Sequence, residues 1–268
     1  MLFISFLCAA CLVPSAVVDE QATVEETYDR LQELGIRLAE GVVLQDVLDY
    51  RPPVVPGVRF VSMAELQSEI HSGASAEHNA DLGSPHHNEP DLTNPMGFMW
   101  RLGTERLPAD LYERPFETWS DESYAVFSED ILAVDFEMIA NPGDYANLLN
   151  RLSRLGGGLV VLNNVTDEMP NTWLAELGVS RHATLEFEFQ GERHQWRMEL
   201  NHDWVDPLVF VRFDQLIELT GAPQRLYSLN DGGQSDLFFV STPATAAELG
   251  RFSGAELRDW RSFRDELP

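Results

Sequence analysis

A chain of 268 residues with 44% hydrophobic content has enough apolar side chains for a sizeable core and is not composed like a disordered protein. Its 44 acidic residues against 18 basic ones, all of them arginine, give a formal net charge of -26, which argues against nucleic acid and anionic lipid as partners. Both cysteines, Cys8 and Cys11, lie near the N-terminal end, so a chain processed beyond them has no thiol for a disulfide, a nucleophile or a metal site.

Residues 1–18 read as a signal peptide. Leu2 to Val18 is an apolar run ending in small residues, with Val13-Pro14-Ser15 as a cleavage site, and it is short for a bilayer span. The run has no positive flank other than the chain's own amino group. A lipid anchor on Cys11 is a second reading of the same segment, although Cys8 stands where leucine is usual. Either way the expected location is periplasmic, envelope-associated or secreted, with membrane contact only through this segment.

Residues 19–72 read as a helical region. Thr23-x-x-Glu26 forms a capping box, and Val24, Tyr28, Leu31 and Leu38 follow at helical spacing. Gly35 and Gly41 weaken that helix, and the prolines from Pro52 to Pro56 end it. Ser62-x-x-Glu65 opens a second, short helix. Residues 73–122 read as a polar, histidine-rich loop and then an aromatic-rich irregular stretch from Met96 to Tyr124, expected to wrap over the C-terminal domain.

Residues 123–268 read as an α/β domain. Ile131 to Ile139 and Leu159 to Leu162 are expected strands, with a helix over 142–155 capped by Asn141-Pro142 and a helical turn over Thr172–Leu177. The clearest signal follows. Leu185, Phe187 and Phe189 alternate with Thr184, Glu186 and Glu188, and His194, Trp196, Met198 and Leu200 alternate with Arg193, Gln195, Arg197 and Glu199. A two-residue loop at Gln190-Gly191 places Phe187 opposite His194 and Leu185 opposite Trp196, whereas an odd loop would set apolar against charged at every rung. His194 is then expected in the core.

Asp206-Pro207 opens a helix over 207–220 that stops at Gly221. Arg225–Leu229 and Ser235–Ser241 read as a second hairpin, apolar on both faces and so covered by helices, its register left open by Asp231-Gly232-Gly233. Thr242-Pro243 caps a short helix. Ser253-x-x-Glu256 opens a last helix, 254–266, with Leu257, Trp260 and Phe263. The fold class is α+β: a mostly antiparallel sheet of about six strands covered by helices, preceded by a helical, loop-rich N-terminal region up to about residue 122.

The chemistry is sparse. His71, His78, His86 and His87 lie among carboxylates between residues 71 and 91, and His78, His86, His87 and Glu89 are candidate ligands for a divalent metal, although their spacing matches no motif. His202 and Asp203 are candidates for a general base and its orienting carboxylate, at a strand end where turn chemistry alone would also place them. Asn230 to Gln234 could hold calcium but lacks repeated acidic ligands, so a plain turn is preferred. There is no Gly-x-Ser-x-Gly elbow, P-loop or dinucleotide fingerprint. No reaction follows from these residues. The reading is an exported, non-enzymatic binding protein of the cell envelope with a protein or small-molecule partner and no cofactor; the alternative is a metal-dependent hydrolase using the histidine loop.

Overall fold

The computed structural model describes residues 24–50, 90–106, 125–169, 182–230 and 232–264. Among these the chain is α+β, with nine strands, all paired antiparallel, in three sheets. The single sheet of about six strands is therefore too simple. No described helix is long and apolar enough to cross a membrane.

The central sheet has the order β3-β8-β7-β9, built from β3 (Leu132–Asp135), β7 (Arg225–Asn230), β8 (Ser235–Ser241) and β9 (Glu256–Asp259). Its inner strands, β7 and β8, carry apolar residues on both faces, and period-2 alternation sorts them. Leu132, Val134, Leu226 and Phe238 face one core, whereas Tyr227, Leu229, Leu237 and Phe239 face the other. The first core also holds α4 (Asp144–Arg154) and α5 (Leu208–Leu219); the second holds α1 (Val24–Glu33), α2 (Leu44–Asp49), α3 (Pro95–Gly103) and α6 (Pro243–Ser253). The expectation that both faces of this hairpin are covered by helices is met.

A second sheet, β4-β5-β6, closes the far side of the first core. It consists of β4 (Leu162–Glu168), β5 (His182–Phe189) and β6 (Glu192–Glu199). Ala183, Leu185, Phe187, Phe189 and Met198 point inward onto α4 and α5. Helix α5 thus lies between two sheets, which is why Val209, Phe210, Val211, Phe213, Leu216 and Ile217 are all buried and the helix is apolar around most of its circumference. A two-stranded ribbon, β1 (Glu105–Arg106) with β2 (Ala125–Val126), completes the strands.

The β5–β6 hairpin has the predicted register, with Phe187 opposite His194, Leu185 opposite Trp196 and Glu188 opposite Arg193. Gln190 and Gly191 take φ of 52° and 83°, the pair of left-handed residues that a two-residue turn needs to match strand twist. Phe187 and Trp196 meet edge to face at 4.7 Å on the inner side. His194 departs from expectation: it is half-buried, not enclosed, with its ring stacked on Phe187 at 5.2 Å. It sits on the outermost strand of the sheet, so its ring reaches the rim of the core.

Several elements differ from the sequence reading. The helix expected over 254–266 is β9 followed by a single 3₁₀ turn, Trp260–Phe263. Ser253 belongs to the end of α6, Gly254 closes that helix with φ 71°, and the open edge of β7 takes up Glu256–Asp259 as a ladder partner. The strand placed at Leu159–Leu162 begins only at Leu162, and Val161 is 60% exposed. The stretch from Met96 contains a buried helix, α3, whose start is capped by the Asn94 side chain accepting from Met96 N at 2.9 Å. Gly103 at its end has no room for a side chain: a Cβ would lie 2.8 Å from Ala133 N, so α3 packs directly on β3. The N-terminal helix stops at Glu33, and a separate α2 follows. The helix at Ser62, the turn at Thr172–Leu177, the signal segment with Cys8 and Cys11, and the histidine loop with His78, His86, His87 and Glu89 lie outside the described residues.

Helix α4 gets its cap from an unexpected place. Asn141-Pro142 does not supply it; instead Asp167 of β4 accepts from Gly143 N at 2.7 Å and from Ala146 N at 2.9 Å. A carboxylate on the exposed amides of a helix start satisfies orphan donors and complements the helix dipole. We predict that Asp167→Ala lowers the unfolding free energy by about 2 kcal/mol, since two bonds to a charged acceptor are lost. A urea midpoint shifted at unchanged slope is the expected reading, and no shift would mean that water replaces the cap.

Candidate functional site

Only one face of the β4-β5-β6 sheet meets the core. The other carries a grid of polar side chains fixed by the two registers: Asn163, Glu188 and Arg193 in one row, Thr166, Glu186 and Gln195 in the next, Glu168, Thr184 and Arg197 in the third. Gln195 Nε2 donates to Glu186 Oε1 at 2.8 Å across the middle row. On this face β5 carries two carboxylates, Glu186 and Glu188, and β6 two arginines, Arg193 and Arg197, while β4 carries one carboxylate, Glu168. The two rows of charge run along the strands because side chains two residues apart share a face.

A bulge opens this face. Between Asn163 and Thr166 the β4 register shifts, so that Asn164 and Val165 together oppose Phe187. The bulge lets Leu162 and Val165 both pack inward and leaves Asn164 at φ 52°. Beside it lies a groove of about 310 Å³ lined by Asn164, Thr166, Glu186, Glu188, Arg193 and Gln195, with Phe187 and His194 among its other walls. Sequence reading named the β5 and β6 members only as the wet side of a hairpin. Asn164 and Thr166 were not legible, because the bulge breaks the alternation that marks a strand.

Among the described residues this sheet has two edge strands: β4, which packs beside α4, and β6, which pairs only with β5 and leaves its other side open. In a two-residue hairpin the residues flanking the turn form a bonded pair, so His194, Trp196 and Met198 bond to β5, and the main-chain groups of Arg193, Gln195, Arg197 and Glu199 point away from it. The far end of that row is already engaged. Arg212 on α5 donates to Arg197 O at 3.2 Å, and Asp206 Oδ2 accepts from Glu199 N at 2.7 Å. Arg212 also lies 5.9 Å from the Trp196 ring centre, over its face.

His202 and Asp203 occupy a tight turn between β6 and α5. Trp204 N donates to Asn201 O at 3.1 Å, and His202 takes the left-handed conformation with φ 55°. His202 is exposed, Asp203 is half-buried, and Asp203 O accepts from Ile139 N at 2.8 Å. Asp206 closes the turn: besides Glu199 N, it accepts from Leu208 N at 2.9 Å, the cap predicted for α5, while its own N–H donates to Tyr145 Oη at 2.9 Å. Burial pushes the Tyr145 hydroxyl well above the ordinary tyrosine range; the Asp206 N–H opposes the shift, and the charges of Asp206 and Asp167 add to it. Burial, reinforced by Asp167, also raises the Asp144 carboxyl, although bonds from Asn141 N and Ala140 N oppose the shift. These groups join β6, α4 and α5 at one end of the core.

The Asn230 turn is likewise self-contained. Asn230 Nδ2 donates to Asp236 Oδ1 at 2.6 Å, and its Oδ1 accepts from Gly232 N at 2.7 Å. Asp236, fully buried, also accepts from Ser228 Oγ at 2.6 Å and is paired with Arg258 at 3.1 Å. Arg258 thus balances the buried carboxylate beside the turn, and Asp231 of the turn lies outside the described residues. Among the described residues no group of three or more histidine, cysteine or carboxylate side chains is placed to hold a metal ion. No protein family, curated protein or solved structure matches the chain.

Proposed function

We propose that the chain is an exported, non-enzymatic binding protein of the cell envelope that meets its partner on the outer face of the β4-β5-β6 sheet. The observation that carries the reading is the groove across all three strands of that face, on a sheet whose opposite side is sealed against α4 and α5. Grooves with converging polar groups are where ligands seat, and side chains on strands place those groups more rigidly than loops do. Export is supported by the apolar run from Leu2 to Val18 with its small-residue end.

A photo-crosslinking side chain placed at Thr166, in the groove, tests the reading in cells; Gln45, exposed on α2 beyond the central sheet, is the control. The expected result is one discrete adduct from position 166 and none from position 45. No adduct from 166, or the same adducts from both, overturns it.

A further inference from the structure

The geometry points to an extended polypeptide segment of alternating acidic and apolar residues as the partner, docked as a fourth strand on the free edge of β6. This rests on the binding reading above and extends it: Arg193 and Gln195 line the groove and also border this edge, so the strand is the part of the partner that continues beyond the groove. Among the described residues β6 pairs only with β5. Its outward main-chain groups at Arg193 and Gln195, with the N–H of Arg197, form a row of donors and acceptors at strand spacing, which is what an added strand requires. The Arg212 and Asp206 side chains, on Arg197 O and Glu199 N, end the row.

The side chains beside that row define the occupant. On the outer face an added strand would lie next to Arg193, Gln195 and Arg197, all exposed. Neither guanidinium forms an ion pair among the described residues. Carboxylates at alternate positions of the incoming strand would face them, on a chain that elsewhere carries a large acidic surplus. On the inner face the same strand would lie next to His194 and Trp196, both half-buried with rings open toward the rim, so apolar residues belong at the intervening positions. A second copy fits less well. Antiparallel self-pairing centred on Gln195 sets Arg193 against Arg197 of the other copy, and like charges directly opposite are destabilising.

The probe is a fluorescently labelled peptide of alternating glutamate and valine, titrated with the full chain and read by anisotropy. Wild-type protein is expected to bind it, to bind less as salt rises, and to ignore an alternating lysine-valine peptide. Methylating the peptide's backbone at alternate nitrogens should weaken binding about tenfold or more, because only strand addition needs those N–H groups. Gln195→Pro should have the same effect at an unchanged melting temperature, since the N–H it removes faces away from β5. Arg193→Glu with Arg197→Glu should transfer the preference to the lysine-valine peptide, a reversal that a merely weakened fold does not give.

Unaltered binding by the methylated peptide or by Gln195→Pro overturns strand addition. So does a chain that sediments as a dimer and becomes monomeric on Gln195→Pro, which would put a second copy on the edge. A protein that binds none of these peptides yet keeps its Thr166 adduct in cells overturns this inference and leaves the face reading standing. Loss of both overturns the two together.

Discussion

Replacing Asp236 by alanine should lower the unfolding free energy by about 4 kcal/mol, the cost typical of removing one partner from a buried ion pair. The carboxylate is fully buried and accepts from Ser228 Oγ, Asn230 Nδ2 and Arg258, so its loss strands two side chains of β7 and one of β9. Ser228 Oγ in turn accepts from Trp260 Nε1 at 3.1 Å, which draws the 3₁₀ turn into the same network. Three strands and the turn after them are therefore held in register by one side chain. Urea denaturation measures the loss. Asp236→Asn, which keeps the shape and one acceptor, should cost less than alanine. A deficit below about 1 kcal/mol for the alanine variant would show that water enters and replaces the bonds.

The second large effect is expected at Phe210, also at about 4 kcal/mol for Phe210→Ala, in the range for deleting a buried aromatic ring. Its ring stacks on Phe238 at 4.2 Å and lies 4.9 Å from Trp260 and 5.8 Å from Phe136, edge on. These neighbours come from the central sheet, the 3₁₀ turn and the loop after β3, so no single element can move in to fill the void. Phe210→Leu keeps much of the volume and should recover a large part of the loss. Thermal unfolding of both variants checks this; equal destabilisation would mean that ring stacking, not volume, dominates.

What could be read from the residues follows a physical line. The β5–β6 hairpin was legible because it has one wet face and a two-residue turn, so Phe187 and Trp196 reveal both the period and the register. The β7–β8 hairpin was legible as strands only. With apolar residues on both faces, its register depends on the connection, and that is organised by the Asn230 side chain rather than by glycine alone. Helix α5 announced itself through Asp206-Pro207, although the sequence does not show that Asp206 also bonds Glu199 N.

The failures were non-local. Leu162 to Glu168 has poor strand propensity and a bulge, and exists because β5 pairs with it and Asp167 caps α4. The expected helix at the C-terminal end rested on a Ser-x-x-Glu spacing, which cannot reveal that β7 has an open edge nearby. Helix α3 was hidden behind Gly97 and Gly103, residues that lower helix propensity but allow close packing. For the candidate site, the β5 and β6 walls of the groove were visible as polar alternation, and the β4 wall, Asn164 and Thr166, was not. His202 and Asp203 drew attention as a chemical pair, and the structure places them in one tight turn whose main chain is bonded to Ile139 N.

The way β6 ends has a bearing on solubility. An eight-residue strand with an open side is a template on which like chains can polymerise, and natural proteins blunt such strands with charge and with interruptions. Here Arg193 and Arg197 oppose stacking of identical copies, and Arg212 and Asp206 occupy the last main-chain positions. What is left open among the described residues, from Arg193 to the N–H of Arg197, is shorter than the roughly six or seven residues of a fibril-forming segment and carries a positive charge at each end.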